Sequence, residues 1–180
     1  FLGLIFIEPD WGATALLATV CGLMLFLAGT KLRFIVPPVI ALGAAGIFLL
    51  SQNTVRLNRI TSWLDPEGTK QGVGYQAWQS LIALGSGGTT GLGLGNGRQK
   101  LGFVPEHQTD FIFSVIGEEL GLIATMSVVV GFVLFLVCGA FIAMRSRDFF
   151  GFLLASGLTF LISLQAFINI GVVTSTLPNK

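Results

Sequence analysis

Four long stretches with almost no charge dominate this sequence. They cover residues 12–30, 34–54, 111–144 and 149–170, and only the third contains charged residues, the acids Glu118 and Glu119. About 20 predominantly apolar residues suffice for a helix to cross the hydrocarbon core of a bilayer. Charged residues make up only 11% of the chain, compared with about 25% in soluble domains. The sequence therefore predicts an all-α, polytopic helical membrane protein with four transmembrane spans.

Basic residues between these stretches predict the orientation of the chain, because Lys and Arg in short loops favour the cytoplasmic side. Lys31 and Arg33 separate the first two stretches, and Arg145 and Arg147 separate the last two. Both short loops lie in the cytoplasm if one long extracytoplasmic loop, residues 55–110, joins the two hairpins. Since structureless loops longer than about 15 residues are usually functional, we expect the chemistry in this loop.

We expect residues 1–180 to form a single membrane domain that is a fragment of a larger protein. Residues 1–7 are apolar but too few to span a bilayer, so they are expected to end a helix that starts earlier. The 10 basic and 9 acidic residues give a net charge of +1, which removes nucleic acid as a default partner. Cys21 and Cys138 lie in apolar stretches, where they are expected to be small hydrophobes.

The middle of the long loop, residues 71–97, is uncharged and rich in glycine. Trp78, Leu81 and Ile82 stand at helical spacing, which predicts an amphipathic or re-entrant helix on the outer membrane face. The glycine-rich run at 85–97 lacks the Gly-Lys-Ser/Thr ending of a phosphate-binding loop. It is therefore expected to provide tight turns and a close approach of two backbones.

The loop ends in Pro105-Glu106-His107-Gln108-Thr109-Asp110, directly before the third apolar stretch. Asp110 is placed to cap a helix, or to abstract a proton from a hydroxyl group. Cations at the headgroup level hold phosphates, and this loop contains Arg56, Arg59, Lys70, Arg98 and Lys100. The combination predicts group transfer on a phosphate-linked lipid, with capping as the structural alternative for Asp110.

Glu118 and Glu119 follow Asp110 by eight and nine residues, about 12 Å deeper in a continuous helix. Ionisable groups at that depth usually face a bundle interior or a wet cavity. A structural pairing with a basic residue elsewhere is the equal alternative. His107 is either a proton shuttle or an interfacial polar group, because one histidine without further ligands makes no metal site.

Four blocks of the sequence together carry a family resemblance. They are Glu8-Pro-Asp-Trp-Gly12, Arg56-Leu-Asn-Arg-Ile60, the block from Gln79 to Gly88, and the long block from Gly93 to Gly121. The chain thereby resembles the SEDS family of shape, elongation, division and sporulation proteins, typified by FtsW, RodA and SpoVE. Its Gly93-Leu-Gly-Asn96 motif is similar to that of the division branch, FtsW. Family members usually read Pro-Glu-x-His-Thr-Asp, whereas here Gln108 occupies the usual histidine position.

The resemblance implies a fold of about ten transmembrane helices in the bacterial cytoplasmic membrane, with the long loop on the outer face. It implies a peptidoglycan glycosyltransferase that polymerises lipid II into β-1,4 glycan strands during cell division, with undecaprenyl pyrophosphate as the leaving group. The carboxylate matching Asp110 is the catalytic residue, which we interpret as a general base. Candidate substrate-binding residues are Arg56, Arg59, Lys100, Glu106, Thr109, Arg98, Gln79 and Glu118.

The resemblance also implies partners, namely a class B penicillin-binding protein transpeptidase and other division proteins. No cofactor is firmly predicted. A divalent cation, Mg²⁺ or Mn²⁺, could assist at the pyrophosphate, and its ligands are unknown.

Two other functions stay open. One is a lipid II flippase that uses Glu118 and Glu119 as a polar path, and the other is a non-catalytic scaffold of the cell-wall synthesis complex.

Overall fold

The structure, a computed structural model, describes residues 11–51, 63, 68, 72, 74–97 and 110–178. Every regular element within these ranges is a helix, which confirms the predicted all-α class. The helices are α1 (Trp11–Leu27), α2 (Leu32–Ser51), α3 (Tyr75–Gly87), α4 (Ile112–Met144) and α5 (Phe149–Val173).

Two of these helices, α4 and α5, are long and apolar enough to cross a membrane, with 33 and 25 residues. Only 11% of the most apolar stretch of α4 and 17% of that of α5 are buried inside the molecule. Large side chains such as Ile123, Leu134 and Phe150 are exposed, as lipid-facing residues are. Within the residues whose side chains the structure describes, the apolar ranges of α1 and α2 cover only residues 12–27 and 32–46. Their membrane crossing stays a prediction.

Helix α1 ends three residues before the first apolar stretch does, because Gly29 stops it. Gly29 has a φ of 83°, a left-handed conformation that glycine adopts without steric cost. Its N–H donates to the Phe26 carbonyl at 3.0 Å, and the Thr30 N–H donates to the Leu25 carbonyl at 3.1 Å. This pair of bonds is a Schellman motif, which satisfies carbonyls that the helix end would otherwise leave open.

The chain divides into two compact units. The first unit contains residues 1–53 and 133–165, and the second contains residues 54–132 and 166–179. Both α4 and α5 pass from one unit into the other. The single membrane domain over residues 1–180 stays a prediction.

In the first unit, helices pack where one of them carries a glycine. A Cβ atom added to Gly139 of α4 would collide with the Thr159 side chain of α5. A Cβ atom on Gly157 would lie 2.9 Å from the Met24 sulfur of α1. Small residues at such contacts let helix backbones approach closely, which is how membrane helices associate when lipid is as apolar as their side chains.

In the second unit, the core is a small apolar cluster at the C-terminal end of α5. It consists of Phe111, Phe113, Val172 and Val173. The last carbonyls of a helix have no partner within it, and here residues outside α5 supply two donors. Ser80 Oγ donates to the Val173 carbonyl at 2.9 Å, and Trp63 Nε1 donates to the Ser175 carbonyl just beyond the helix at 2.9 Å.

Replacing Gly139 with alanine is expected to destabilise the protein by about 1–3 kcal/mol, because the added methyl group overpacks the contact with Thr159. Gly131 is the matched control on the same helix, since a Cβ atom there would meet nothing within 4 Å. The thermal unfolding midpoint of each variant in detergent measures the effect. Equal midpoints for the two variants would contradict the packing described here.

Replacing Ser80 with alanine is expected to destabilise the protein by about 1–3 kcal/mol, because it removes the donor to a buried carbonyl. Ser80 is 0% exposed. Ser86 is the control: it is exposed and its hydroxyl bonds only to the Ala83 carbonyl within α3. Thermal unfolding should separate Ser80→Ala from Ser86→Ala, and no separation would mean that the bond to Val173 contributes little.

Candidate active site

Asp110 occupies the turn directly before α4, and it is half-buried. The next residue, Phe111, is only 1% exposed and lies in the apolar cluster of the second unit. The Phe111 carbonyl accepts both the N–H of Ser114 at 3.0 Å and the hydroxyl of Ser114 at 2.7 Å. The backbone beside Asp110 is thus held by burial and by hydrogen bonds.

The structure gives no support to the capping interpretation of Asp110. A capping carboxylate accepts a hydrogen bond from a backbone N–H in the first turn of the helix. Within the described residues, the Asp110 side chain makes no hydrogen bond and no ion pair. Among the described residues, capping therefore has no hydrogen bond to support it, and Asp110 as the base stays a prediction.

Helix α4 is interrupted at Gly121, whose φ of 76° and ψ of −171° are not helical. The interruption leaves the carbonyls of Glu118 and Glu119 without their donors within the helix. The glycine-rich segment after α3 supplies new donors to both. The Leu92 N–H donates to the Glu118 carbonyl and the Gly93 N–H donates to the Glu119 carbonyl, both at 3.0 Å.

The same segment also accepts the hydrogen bonds that the C-terminal side of the interruption offers. The Leu122 N–H donates to the Gly88 carbonyl at 2.9 Å, and the Ile123 N–H donates to the Thr89 carbonyl at 3.3 Å. In an unbroken helix these two N–H groups would bond to the carbonyls four residues earlier. Residues 88–97, here called the glycine loop, therefore replace the bonds that the interruption breaks.

This pairing requires glycine where the two backbones meet. A Cβ atom on Gly91 would collide with the Glu119 carbonyl, and one on Gly121 would collide with the Gly91 nitrogen. Both glycines also have positive φ angles, 82° and 76°. The predicted role of the glycine-rich run, tight turns and close backbone approach, is confirmed.

Glu118 and Glu119 lie on α4 just before the interruption. Glu118 is 2% exposed and Glu119 is half-buried. A Cβ atom on Gly97 would stand 2.9 Å from Glu118 Oε2 and 2.9 Å from Glu119 Oε1, so the end of the glycine loop passes beside both carboxylates. The helix is continuous from residue 112 to residue 120, and the depth of these two acids below Asp110 stays a prediction.

Helix α3 confirms the predicted helix in the loop but presents a different face to the interior. Its buried residues are Ser80, Ala83 and Gly87, whereas Ile82, one of the residues that predicted the helix, is 40% exposed. A Cβ atom on Gly87 would collide with the Gly117 carbonyl. Ser80, Ala83 and Gly87 are small and stand three and four positions apart. This spacing of small residues in the sequence indicates a close contact between helices.

Three of the predicted site residues lie in the described part of the chain, all in the second unit. They are Asp110, Gln79 and Glu118; Gln79 is half-buried on α3 and makes no side-chain hydrogen bond with a described residue. Six others lie outside the described residues, namely Arg56, Arg59, Arg98, Lys100, Glu106 and Thr109. His107 also lies outside them. Sequence reasoning missed Trp63, Ser80 and Gly121, of which Gly121 carried no signal beyond its residue type.

The described residues include no group of three or more His, Cys, Asp and Glu side chains that could hold a metal ion. Glu118 and Glu119 provide only two such side chains. The Mg²⁺ or Mn²⁺ that the sequence left open stays a prediction.

Comparison with known proteins places these features in a family. The profile of the family described as "Cell cycle protein", which comprises FtsW, RodA and SpoVE, matches residues 1–180. The chain is 45% identical over 180 residues to a protein of Trichlorobacter lovleyi, covering 99% of this chain and 47% of that relative. It is 44% identical over 180 residues to a protein of Marinobacter nauticus, covering 98% of this chain and 45% of that relative.

A protein of Coxiella burnetii is 43% identical over 182 residues, covering 99% of this chain and 49% of that relative. All three relatives are named "Probable peptidoglycan glycosyltransferase FtsW". The chain spans about half the length of these relatives. Because the family profile matches from the first residue to the last, the chain belongs to the FtsW/RodA/SpoVE family of cell cycle proteins.

Proposed function

We propose that the full-length protein is a peptidoglycan glycosyltransferase that polymerises lipid II during cell division, with Asp110 as its general base. One observation carries the proposal: a half-buried carboxylate stands at the start of a membrane-length helix, beside the buried Phe111, with no hydrogen bond to a described residue. The names of the relatives support the activity. The reaction is proposed to take place on the outer face of the bacterial cytoplasmic membrane.

In the proposed reaction, Asp110 takes the proton from the 4-hydroxyl of the acceptor sugar. The oxygen attacks the anomeric carbon of the growing chain, and the bond to undecaprenyl pyrophosphate breaks. An α-linked donor that gives a β-1,4 product undergoes one inversion. Such a reaction needs a base and a stabilised leaving group, and no covalent intermediate on the enzyme.

The leaving pyrophosphate carries most of the developing negative charge, and cations of the long loop are proposed to bind it. Arg56 and Arg59 suit bidentate contacts to phosphate, and Lys100 suits a point charge. The other proposed substrate contacts are Arg98, Glu106, Thr109, Gln79 and Glu118. A divalent cation would assist the same leaving group, and a class B penicillin-binding protein is the proposed partner.

Replacing Asp110 with asparagine is expected to lower the rate of lipid II polymerisation by at least about a hundredfold, because asparagine cannot accept the proton. The full-length protein, purified with its partner transpeptidase, is incubated with lipid II, and the length and amount of glycan strands are measured. Wild-type strands from the folded variant would contradict the proposed base.

Asp148 is the matched control for this experiment. Its carboxylate accepts the Gly151 N–H at 2.7 Å and caps α5, and the side chain is exposed. Asparagine is an equally good capping residue, so Asp148→Asn should keep both stability and polymerisation. A comparable loss in both variants would point to a general effect of the aspartate-to-asparagine change.

Replacing Arg59 with alanine is expected to weaken lipid II binding roughly ten- to a hundredfold, since a hydrogen bond to a charged group contributes about 1.5–3 kcal/mol. The KM for lipid II and direct binding to the purified protein measure the effect. Arg147, which is exposed between α4 and α5, is the control. Unchanged kinetics in Arg59→Ala would remove this residue from the site.

A flippase is the second candidate function, favoured by the two acids Glu118 and Glu119 of the apolar helix α4, of which Glu118 is buried. Ionisable groups in such places often mark a transport path. Vesicles that contain the protein and labelled lipid II distinguish the two functions. If neither the wild type nor Asp110→Asn makes glycan but both move lipid II across the membrane, the flippase replaces the transferase.

A further inference from the structure

The helical segment at residues 112–120, which follows Asp110, is held at both of its ends. At its start, Phe111 and Phe113 are buried against Val172 and Val173. At its end, the carbonyls of Glu118 and Glu119 bond to the glycine loop. The interruption of α4 separates this segment from the rest of the helix. Its direction therefore depends on these two attachments and on the contact of Gly117 with Gly87 of α3.

Small changes at the far attachment are amplified at Asp110. Asp110 lies eleven positions before Gly121, which corresponds to about 16 Å along a helix. A change of about 4° in the direction of the segment therefore moves Asp110 by about 1 Å. A misplacement of about 1 Å in an active site can lower the rate about a hundredfold.

Two glycines of the glycine loop have similar backbone φ angles, but only one of them contacts α4. Gly91 and Gly95 have nearly the same φ, 82° and 84°. A Cβ atom on Gly91 would collide with the Glu119 carbonyl, whereas one on Gly95 would meet nothing within 4 Å. Alanine at either position introduces similar backbone strain, but only alanine at Gly91 displaces α4.

We propose that Gly91 and Gly121 are positioning residues of the active site, which place Asp110 through the hydrogen bonds between the glycine loop and the interrupted helix. The proposal rests on the proposed function of Asp110 as the base. Neither glycine is proposed to touch the substrate. Because neither residue has a side chain, the backbones of the glycine loop and of α4 can approach to the distance that the four hydrogen bonds require.

The test compares Gly91→Ala with Gly95→Ala in the full-length protein with its partner. Gly91→Ala is expected to lower the kcat of polymerisation by about a hundredfold or more, with an unchanged KM for lipid II. Gly95→Ala is expected to keep most of the wild-type kcat. Equal kcat values for the two variants, or a change in KM alone, would overturn the proposal.

A second variant covers the case in which Gly91→Ala does not fold, as judged by its thermal unfolding midpoint. Gly121→Ala favours a continuous α4, because alanine is the best helix former and the helix can then close its own hydrogen bonds. This variant should remain helical and inserted in the membrane, and it should lose kcat to a similar extent. Wild-type kcat in folded Gly121→Ala would also overturn the proposal.

A labelling experiment separates failure of this proposal from failure of the proposed function. The rate at which a membrane-impermeant maleimide modifies Asp110→Cys is measured in a protein whose Cys21 and Cys138 are replaced by serine. Adding Gly91→Ala should change this rate, and adding Gly95→Ala should not. If the wild type makes no glycan, the proposed function fails and the labelling rates alone decide whether the loop positions residue 110; unchanged rates overturn that link.

Discussion

The second unit depends on one constraint, the pairing of buried backbone N–H and C=O groups. A buried group without a partner is costly, so the interruption of α4 requires new partners for the hydrogen bonds that it breaks. At Gly121 the glycine loop provides them through residues 88, 89, 92 and 93. The interruption and the loop therefore require each other, and α3 is held in place because it leads directly into the loop.

The same constraint operates where α5 ends, and it links that end to the candidate active site. Ser80 and Trp63 donate to the carbonyls of Val173 and Ser175. Val173 also packs in the cluster that buries Phe111, the neighbour of Asp110. A half-buried carboxylate is thus carried by a segment whose two attachments both consist of residues from elsewhere in the chain. This arrangement suits a general base, since catalysis needs a group held in a defined place.

Residue patterns predicted much of this arrangement, and their failures have physical causes. Trp78, Leu81 and Ile82 predicted α3 correctly, but they do not form its buried face, because close contacts between helices in membranes use small residues rather than large ones. The glycine-rich run predicted a close approach of backbones without indicating its partner. The candidate phosphate-binding cations, including Arg56, Arg59 and Lys100, lie outside the described residues and stay predictions from the sequence.

The sequence by itself determined the helical membrane class, the helix α3, the family, and Asp110 as the candidate base. These depend on local composition and on motifs, which a linear pattern contains in full. Only the tertiary structure decided that α4 is interrupted at Gly121 and that the glycine loop completes it. The reason is that a glycine within an apolar stretch is compatible with a continuous helix. The conformation it adopts depends on hydrogen-bond partners roughly thirty residues away in the chain.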